Sequence, residues 1–215
     1  MPTKTIPPRF RTAPTIILAG QHRTRRGGSV LPEGRQTGEV SIKTLSSRVV
    51  YRNPWLSLRE DRIEHADGSP GLYSVIDKPD FALVIPWEDG GFHLVEQYRY
   101  PVRARSWEFP SGAFPEGVTG SPEELAAAEL AEETGFTAGR LERLGRLHCA
   151  NGMTGEGCHV FLATELTPGE PNREHTEQDM RQQWFPQSEV EEMLRTGVLT
   201  DGPSMAAYLL LKLRR

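Results

Sequence analysis

Between Ser121 and Gly135 the chain reads SPEELAAAELAEETG, and this stretch constrains the fold more than any other. Ser121 is a helix N-cap, Pro122 suits the first helical position, and Glu124 stands three residues after the Ser as a capping box requires. Leu125, Ala126, Ala128, Leu130 and Ala131 are strong helix formers, and Gly135 is a natural stop. The neighbours read differently. Ser47 to Tyr51 and Leu56 to His65 alternate apolar and polar residues as strands do, Ala66 to Ser69 is a turn, and Gly71 to Asp77 returns as the second arm of a hairpin. Phe81 to Pro86 (FALVIP) is a continuous apolar run, as in a strand buried on both faces. Phe92 to Tyr98 and Trp107 to Gly112 follow, then the helix. Strands are expected at Leu141 to Leu147, Cys158 to Thr164 and Gln182 to Phe185, and helices at Val190 to Arg195 and Ser204 to Leu213. Such an order predicts an α/β (α+β) fold, a mixed sheet with helices on both faces.

Glu129, Glu132 and Glu133 recur at i, i+3 and i+4, so their carboxylates share one face of the helix. From Ser121 to Gly135 there are five Glu and no Lys or Arg. Each neighbouring like-charge pair costs a few tenths of a kcal/mol. A hard divalent cation would remove that cost, since magnesium takes a few carboxylates together with water and phosphate oxygens. A solvated acidic face is the other reading that the residues leave open.

The run Ala128 to Phe136 (AELAEETGF) resembles the second half of the Nudix box, R-E-U-x-E-E-x-G-U with U aliphatic, except that Ala128 stands in place of the Arg. Glu108 to Gly112 (EFPSG) is similar to the E-F-P-A-G segment that opens the box in ADP-sugar pyrophosphatases. The loop from Ala113 to Gly120 is two residues longer than the family's, with Gly120 at the nominal place of the intermediate Glu. Val95 to Pro101 (VEQYRYP) resembles the V-x-Q-x-R-x-P strand of ADP-ribose pyrophosphatases, and Arg173 to Met180 resembles their late acidic loop.

The resemblance covers about residues 45–213. It implies a Nudix-type α/β/α sandwich with a mixed β-sheet and an N-terminal β-hairpin subdomain, divided as 43–80 and 81–215. It implies Mg²⁺, with Mn²⁺ as a substitute, held by Glu129, Glu132, Glu133 and the Ser111 carbonyl. Arg99 would meet a diphosphate, Trp55 would stack on a base, and Glu108 would orient the site. The proton acceptor would be Glu177 or Glu174 on the late loop, or Glu132. The expected reaction is hydrolysis of a nucleoside diphosphate sugar, ADP-ribose foremost, by a homodimer. GDP-mannose, other nucleotide sugars or oxidised nucleoside triphosphates are alternative substrates, and a non-catalytic nucleotide-binding module is the alternative of another class.

Charge and cysteine content bound the rest. Residues 1–40 hold seven Lys or Arg and two Glu, a balance of +5, against −9 for the remainder. Residues 1–42 are expected to be a disordered basic tail, being rich in Pro, Gly, Arg and Thr without periodicity. The overall charge of −4 points to no nucleic-acid or membrane partner. Two cysteines, Cys149 and Cys158, make neither a disulfide framework nor a four-ligand zinc site, and a cytoplasmic setting is expected.

Overall fold

The structure is a computed structural model and describes residues 42–114, 118–173 and 175–214. The expected tail, apart from Ile42, lies outside the described residues, and so does Glu174. The chain opens with a three-stranded antiparallel sheet of β1 (Ile42–Arg52), β2 (Ser57–His65) and β3 (Pro70–Asp77), in that order. The turn into β3 is held by Asp67, whose Oδ1 accepts from the Ser69 amide at 2.9 Å, while Gly68 takes φ +81°.

The second sheet contains β4 (Phe81–Glu88), β5 (Gly91–Arg99), β6 (Ala104–Glu108), β7 (Ser111–Gly112), β8 (Thr137–His148), β9 (Gly157–Thr167) and β10 (Arg181–Pro186). Its main path runs β10-β5-β4-β9-β8, with β6 on β5 and β7 on β4. β4 and β9 are parallel and the other pairs antiparallel, so the sheet is mixed as expected. Asp89 and Gly90 both take positive φ (49° and 77°), the geometry of a tight hairpin turn between β4 and β5.

Helices α1 (Pro122–Thr134), α2 (Gln187–Thr196) and α3 (Gly202–Arg214) cover the two faces. The period of two along the central strands decides which residue meets which helix. Ala82 and Val84 of β4, with Phe161 and Ala163 of β9, pack against Leu125, Ala126 and Leu130 of α1. Leu83, Ile85 and Val160 face the other way, onto Val190, Met193, Ala207, Tyr208 and Leu211 of α2 and α3. Ala82 through Ile85 are wholly buried, so FALVIP is indeed a strand covered on both sides. Fully burying one Leu, Val or Phe side chain contributes about 1.5–3 kcal/mol, and Leu130→Ala would cost about 2–5 kcal/mol.

One irregularity of this sheet positions the site. β4 pairs with β5 only at Trp87↔Phe92 and Glu88↔Gly91, after which the two strands separate. The gap beside the first half of β4 is filled by β7, through Ala82↔Gly112 and Leu83↔Ser111, and by the Pro110 carbonyl, which accepts from the Val84 amide at 2.9 Å. Ser111 and Gly112 are thereby set directly under α1. The first sheet meets the connection between β8 and β9: Tyr73 Oη donates to Gly152 O and the Ile76 amide to Met153 O, both at 2.9 Å. Among the described residues, no helix is long and apolar enough to cross a membrane.

Candidate active site

The helix caps form as the sequence predicts. Ser121 Oγ accepts from the Glu124 amide at 3.1 Å, and Glu124 Oε2 accepts from the Ser121 amide at 2.7 Å. At the other end Gly135 takes φ +79° and its amide donates to Ala131 O at 2.9 Å. Held at both ends, α1 presents its three acidic side chains unequally. Glu129 and Glu132 are half-buried and line a cleft, whereas Glu133 is buried at 1% exposure beneath them.

Glu133 is the unusual group. Its Oε2 accepts from the Ser111 amide at 3.2 Å, and its Oε1 is buried with no hydrogen-bond partner among the described residues. Burial pushes its pKa well above the ordinary carboxylate range, and the nearby charges of Glu177 and Glu129 push it further. The Ser111 hydrogen bond works in the opposite sense and does not prevail. Nearby, a Cβ at Gly112 would collide with the Glu129 carboxylate, so a glycine lets that side chain lie on the β7 backbone. A solvated acidic face does not bury one of its carboxylates with an oxygen unpaired.

The chemistry of this donor set fits a hard cation. Buried carboxylate oxygen, two half-buried carboxylates and the adjacent backbone of Ser111 are oxygen donors of the kind magnesium accepts. Among the described residues, no three His, Cys, Asp or Glu side chains are grouped closely enough to hold a metal ion by themselves. Magnesium commonly keeps several waters and shares its shell with substrate phosphate.

The cleft over α1 has a volume of about 1140 Å³. Its lining includes Arg99, Glu108, Ser111, Glu129, Glu132 and Glu177, together with Trp55, so most of the residues singled out in the sequence meet here. Among the described residues, eight of the lining side chains are Asp or Glu and three are Lys or Arg. A polyanion entering such a cleft requires cations to accompany it.

Two of the expected residues have settings that the sequence does not specify. Arg99, at the end of β5, is already engaged by Glu108 of β6: Nε lies 3.0 Å from Oε1 and Nη2 2.5 Å from Oε2. Glu108 is 2% exposed, and burial drives its pKa up even though Arg99 offsets part of the effect. Burial acts to lower the Arg99 pKa, and the pairing with Glu108 outweighs it, so the guanidinium stays charged. The fork is oriented before any ligand arrives. Trp55 lies outside the strands. It sits in the link between β1 and β2, where Asn53 Oδ1 accepts from the Trp55 and Leu56 amides at 2.9 Å, and the residue is 74% exposed.

Sequence reading missed Asp201. It precedes the helix expected from Ser204, and its Oδ2 accepts from the Ser204 amide at 2.9 Å at the start of α3, where it lines the cleft. Its charge acts on both Arg99 and Glu108. The Asp-Gly-Pro-Ser string is an N-cap signature, which was the available signal. Ser204 Oγ also accepts from the buried Phe109 amide at 2.9 Å, so the start of α3 holds the segment between Glu108 and Ser111 in place. Lys78 and Glu156, paired at 2.7 Å, line the cleft too and carried no distinguishing sequence signal.

Comparison with known proteins gives consistent results. Residues 42–76 match the family described as nucleoside diphosphate sugar hydrolase N-terminal domain, and residues 78–208 match the NUDIX domain. An ADP-ribose pyrophosphatase of Mycobacterium tuberculosis is 31% identical over 174 residues, which is 80% of this chain and 83% of that protein. An ADP-ribose pyrophosphatase of Bacillus subtilis is 30% identical over 138 residues, 64% of this chain and 74% of that protein. A crystal structure of an ADP compounds hydrolase superposes with a TM-score of 0.71 at 21% identity, covering 80% of this chain and 92% of that one.

Proposed function

The chain belongs to the Nudix family of pyrophosphatase hydrolases, and from that premise we propose that it cleaves the diphosphate of a nucleoside diphosphate sugar with magnesium as cofactor. ADP-ribose is the leading substrate, giving AMP and ribose 5-phosphate. The observation that carries the reading is the buried, half-satisfied Glu133 carboxylate beneath two further acidic side chains of α1. The N-terminal family match and the two relatives named for ADP-ribose support a nucleotide sugar over a nucleoside triphosphate.

Glu129, Glu132, Glu133 and the Ser111 carbonyl would hold the magnesium, with manganese as a substitute. When bound, the metal neutralises phosphate charge and increases the acidity of water. The chain's own groups do the rest. Arg99, oriented by Glu108, pairs through its planar fork with phosphate oxygens and fixes the diphosphate for in-line attack. Trp55, exposed on the rim, stacks on the base. Glu177 accepts the proton of the attacking water, being the late-loop carboxylate that lines the cleft among the described residues. Glu132 is the second candidate for that step, and Glu174 lies outside the described residues.

We read the protein as a homodimer. Every residue of β1 is exposed, Leu45, Val49, Val50 and Tyr51 among them, and a strand with this apolar content is suited to cover by a second copy. A substrate panel of ADP-ribose, GDP-mannose and oxidised nucleoside triphosphates, run with magnesium and with EDTA, tests the reading. Metal-dependent formation of AMP from ADP-ribose at the highest kcat/KM is the expected result. Ligand binding without turnover of any panel member would instead establish a binding module.

A further inference from the structure

Arg173 lies on the connection between β9 and β10 and joins the C-terminal end of α1 to the residue that follows the Glu177 turn. Its Nε donates to Glu133 O at 3.0 Å and its Nη1 to Met180 O at 2.5 Å. The residue before it donates as well, Asn172 N–H to Glu132 O at 3.0 Å. The last four carbonyls of a helix lack partners within it. In α1, Gly135 N–H takes the Ala131 carbonyl, and the two successive residues of this connection take those of Glu132 and Glu133. The last turn of α1 contains no basic residue, so Arg173 also supplies the positive charge that the negative end of the helix favours.

The other arm of the guanidinium acts on Glu177. The Met180 amide donates to Glu177 O at 2.9 Å, closing the short turn His175–Glu177, and Met180 is anchored at 3% exposure. Gln178 Nε2 donates back to Arg173 O at 2.9 Å. On the outer side, Arg105 Nη1 lies 2.7 Å from Asp179 Oδ2, and Nη2 donates to Asp179 O at 2.9 Å. The carboxylates of Glu177 and Glu133 repel one another, so their approach has to be imposed by such tethers. The outer tether is an exposed ion pair, worth about 0–1 kcal/mol. The inner one spans from α1 itself to the end of the Glu177 turn.

We propose that Arg173 is a positioning residue that clamps the Glu177 turn onto the C-terminal end of α1 and so fixes the separation of the Glu177 and Glu133 carboxylates. This rests on the hydrolase reading given above, in which Glu177 moves a proton and Glu133 holds metal. Neither Arg173 nor the residues at its two ends, Glu133 and Met180, line the cleft. Loss of Arg173 therefore acts on the chemical step and leaves substrate affinity in place.

Arg173→Met tests it, with Arg173→Lys as the second variant should the first fail to fold. Hydrogen–deuterium exchange of residues 171–181 is measured in the metal-free protein, alongside kcat and KM for the preferred panel substrate. Expected are faster exchange at the Asn172 and Met180 amides, kcat lower by about 10–100-fold as for loss of a supporting contact, and KM within about twofold. Arg173→Lys can reach one carbonyl at a time, so its kcat lies between the two, and added guanidinium partly restores Arg173→Ala. Faster exchange with unchanged kcat, or a rise in KM alone, would overturn the proposal, as would unchanged exchange. A wild type with no hydrolase activity that still shows the exchange difference would overturn the hydrolase reading and leave the clamp supported.

Discussion

Replacing Glu133 by Gln has opposite consequences for stability and for turnover, and the two together discriminate sharply. A carboxyl whose pKa is raised by folding stabilises the fold below its ordinary pKa and withdraws that contribution as pH rises toward the folded value. Glu133 is such a group, because it is buried among like charges with one oxygen unpaired. Each pH unit between its unfolded and folded pKa removes about 1.4 kcal/mol. Glutamine carries no charge at any pH and keeps an acceptor for the Ser111 amide. Metal-free Glu133→Gln should therefore match wild type near pH 4 and exceed it at pH 7 by roughly 1–3 kcal/mol, the scale of a buried unsatisfied group. For a chain of this size that corresponds to a Tm higher by roughly 2–12 °C. With magnesium at about a thousand times its Kd, wild type gains about 4.1 kcal/mol and the variant little, so the order of the melting points reverses. In the same samples kcat of the variant falls by more than about a hundredfold, as for loss of one preorganised electrostatic group. Differential scanning calorimetry across pH, with and without magnesium, reads the stabilities. A variant less stable than wild type at pH 7 without metal, or one with near-normal turnover, would refute the reasoning.

Trp55→Ala should leave Tm unchanged, because the residue is 74% exposed, while raising KM by roughly 5–150-fold, the equivalent of about 1–3 kcal/mol of base stacking. Arg99→Lys replaces a fork by a point charge and leaves Glu108 buried without its two-point partner; KM should rise about tenfold or more, measured by steady-state kinetics. Ser121→Ala removes the N-cap of α1 and should cost about 1 kcal/mol, or about 2–4 °C in Tm, with kcat at 25 °C within about twofold.

Local signals were sufficient for α1, since its cap, first-turn Pro, apolar face and terminal Gly are all encoded within fifteen residues and all form. The same holds for β4, whose FALVIP run needs cover on both sides and receives it from α1 on one face and from α2 and α3 on the other. The acidic trio was legible as a set but not in its internal order. Period 3.6 places Glu129, Glu132 and Glu133 together, whereas the burial of Glu133 follows from the separation of β4 and β5 that seats β7 under the helix. Non-local pairing was likewise invisible: Arg99 was expected to meet a ligand directly, and its prior engagement by Glu108 depends on the β5–β6 register. Arg173 and Asp201 escaped notice because each acts through backbone groups or through charge on residues far away in the chain.

The central claim is that the carboxylates of α1 hold a divalent cation against a bound diphosphate. Calorimetric titration of magnesium into the protein with a non-hydrolysable methylene analogue of ADP-ribose addresses it directly, with Glu133→Gln as the comparison. Saturable uptake by wild type that the variant lacks is the predicted result. Equal uptake by both proteins, or none by wild type, would contradict it.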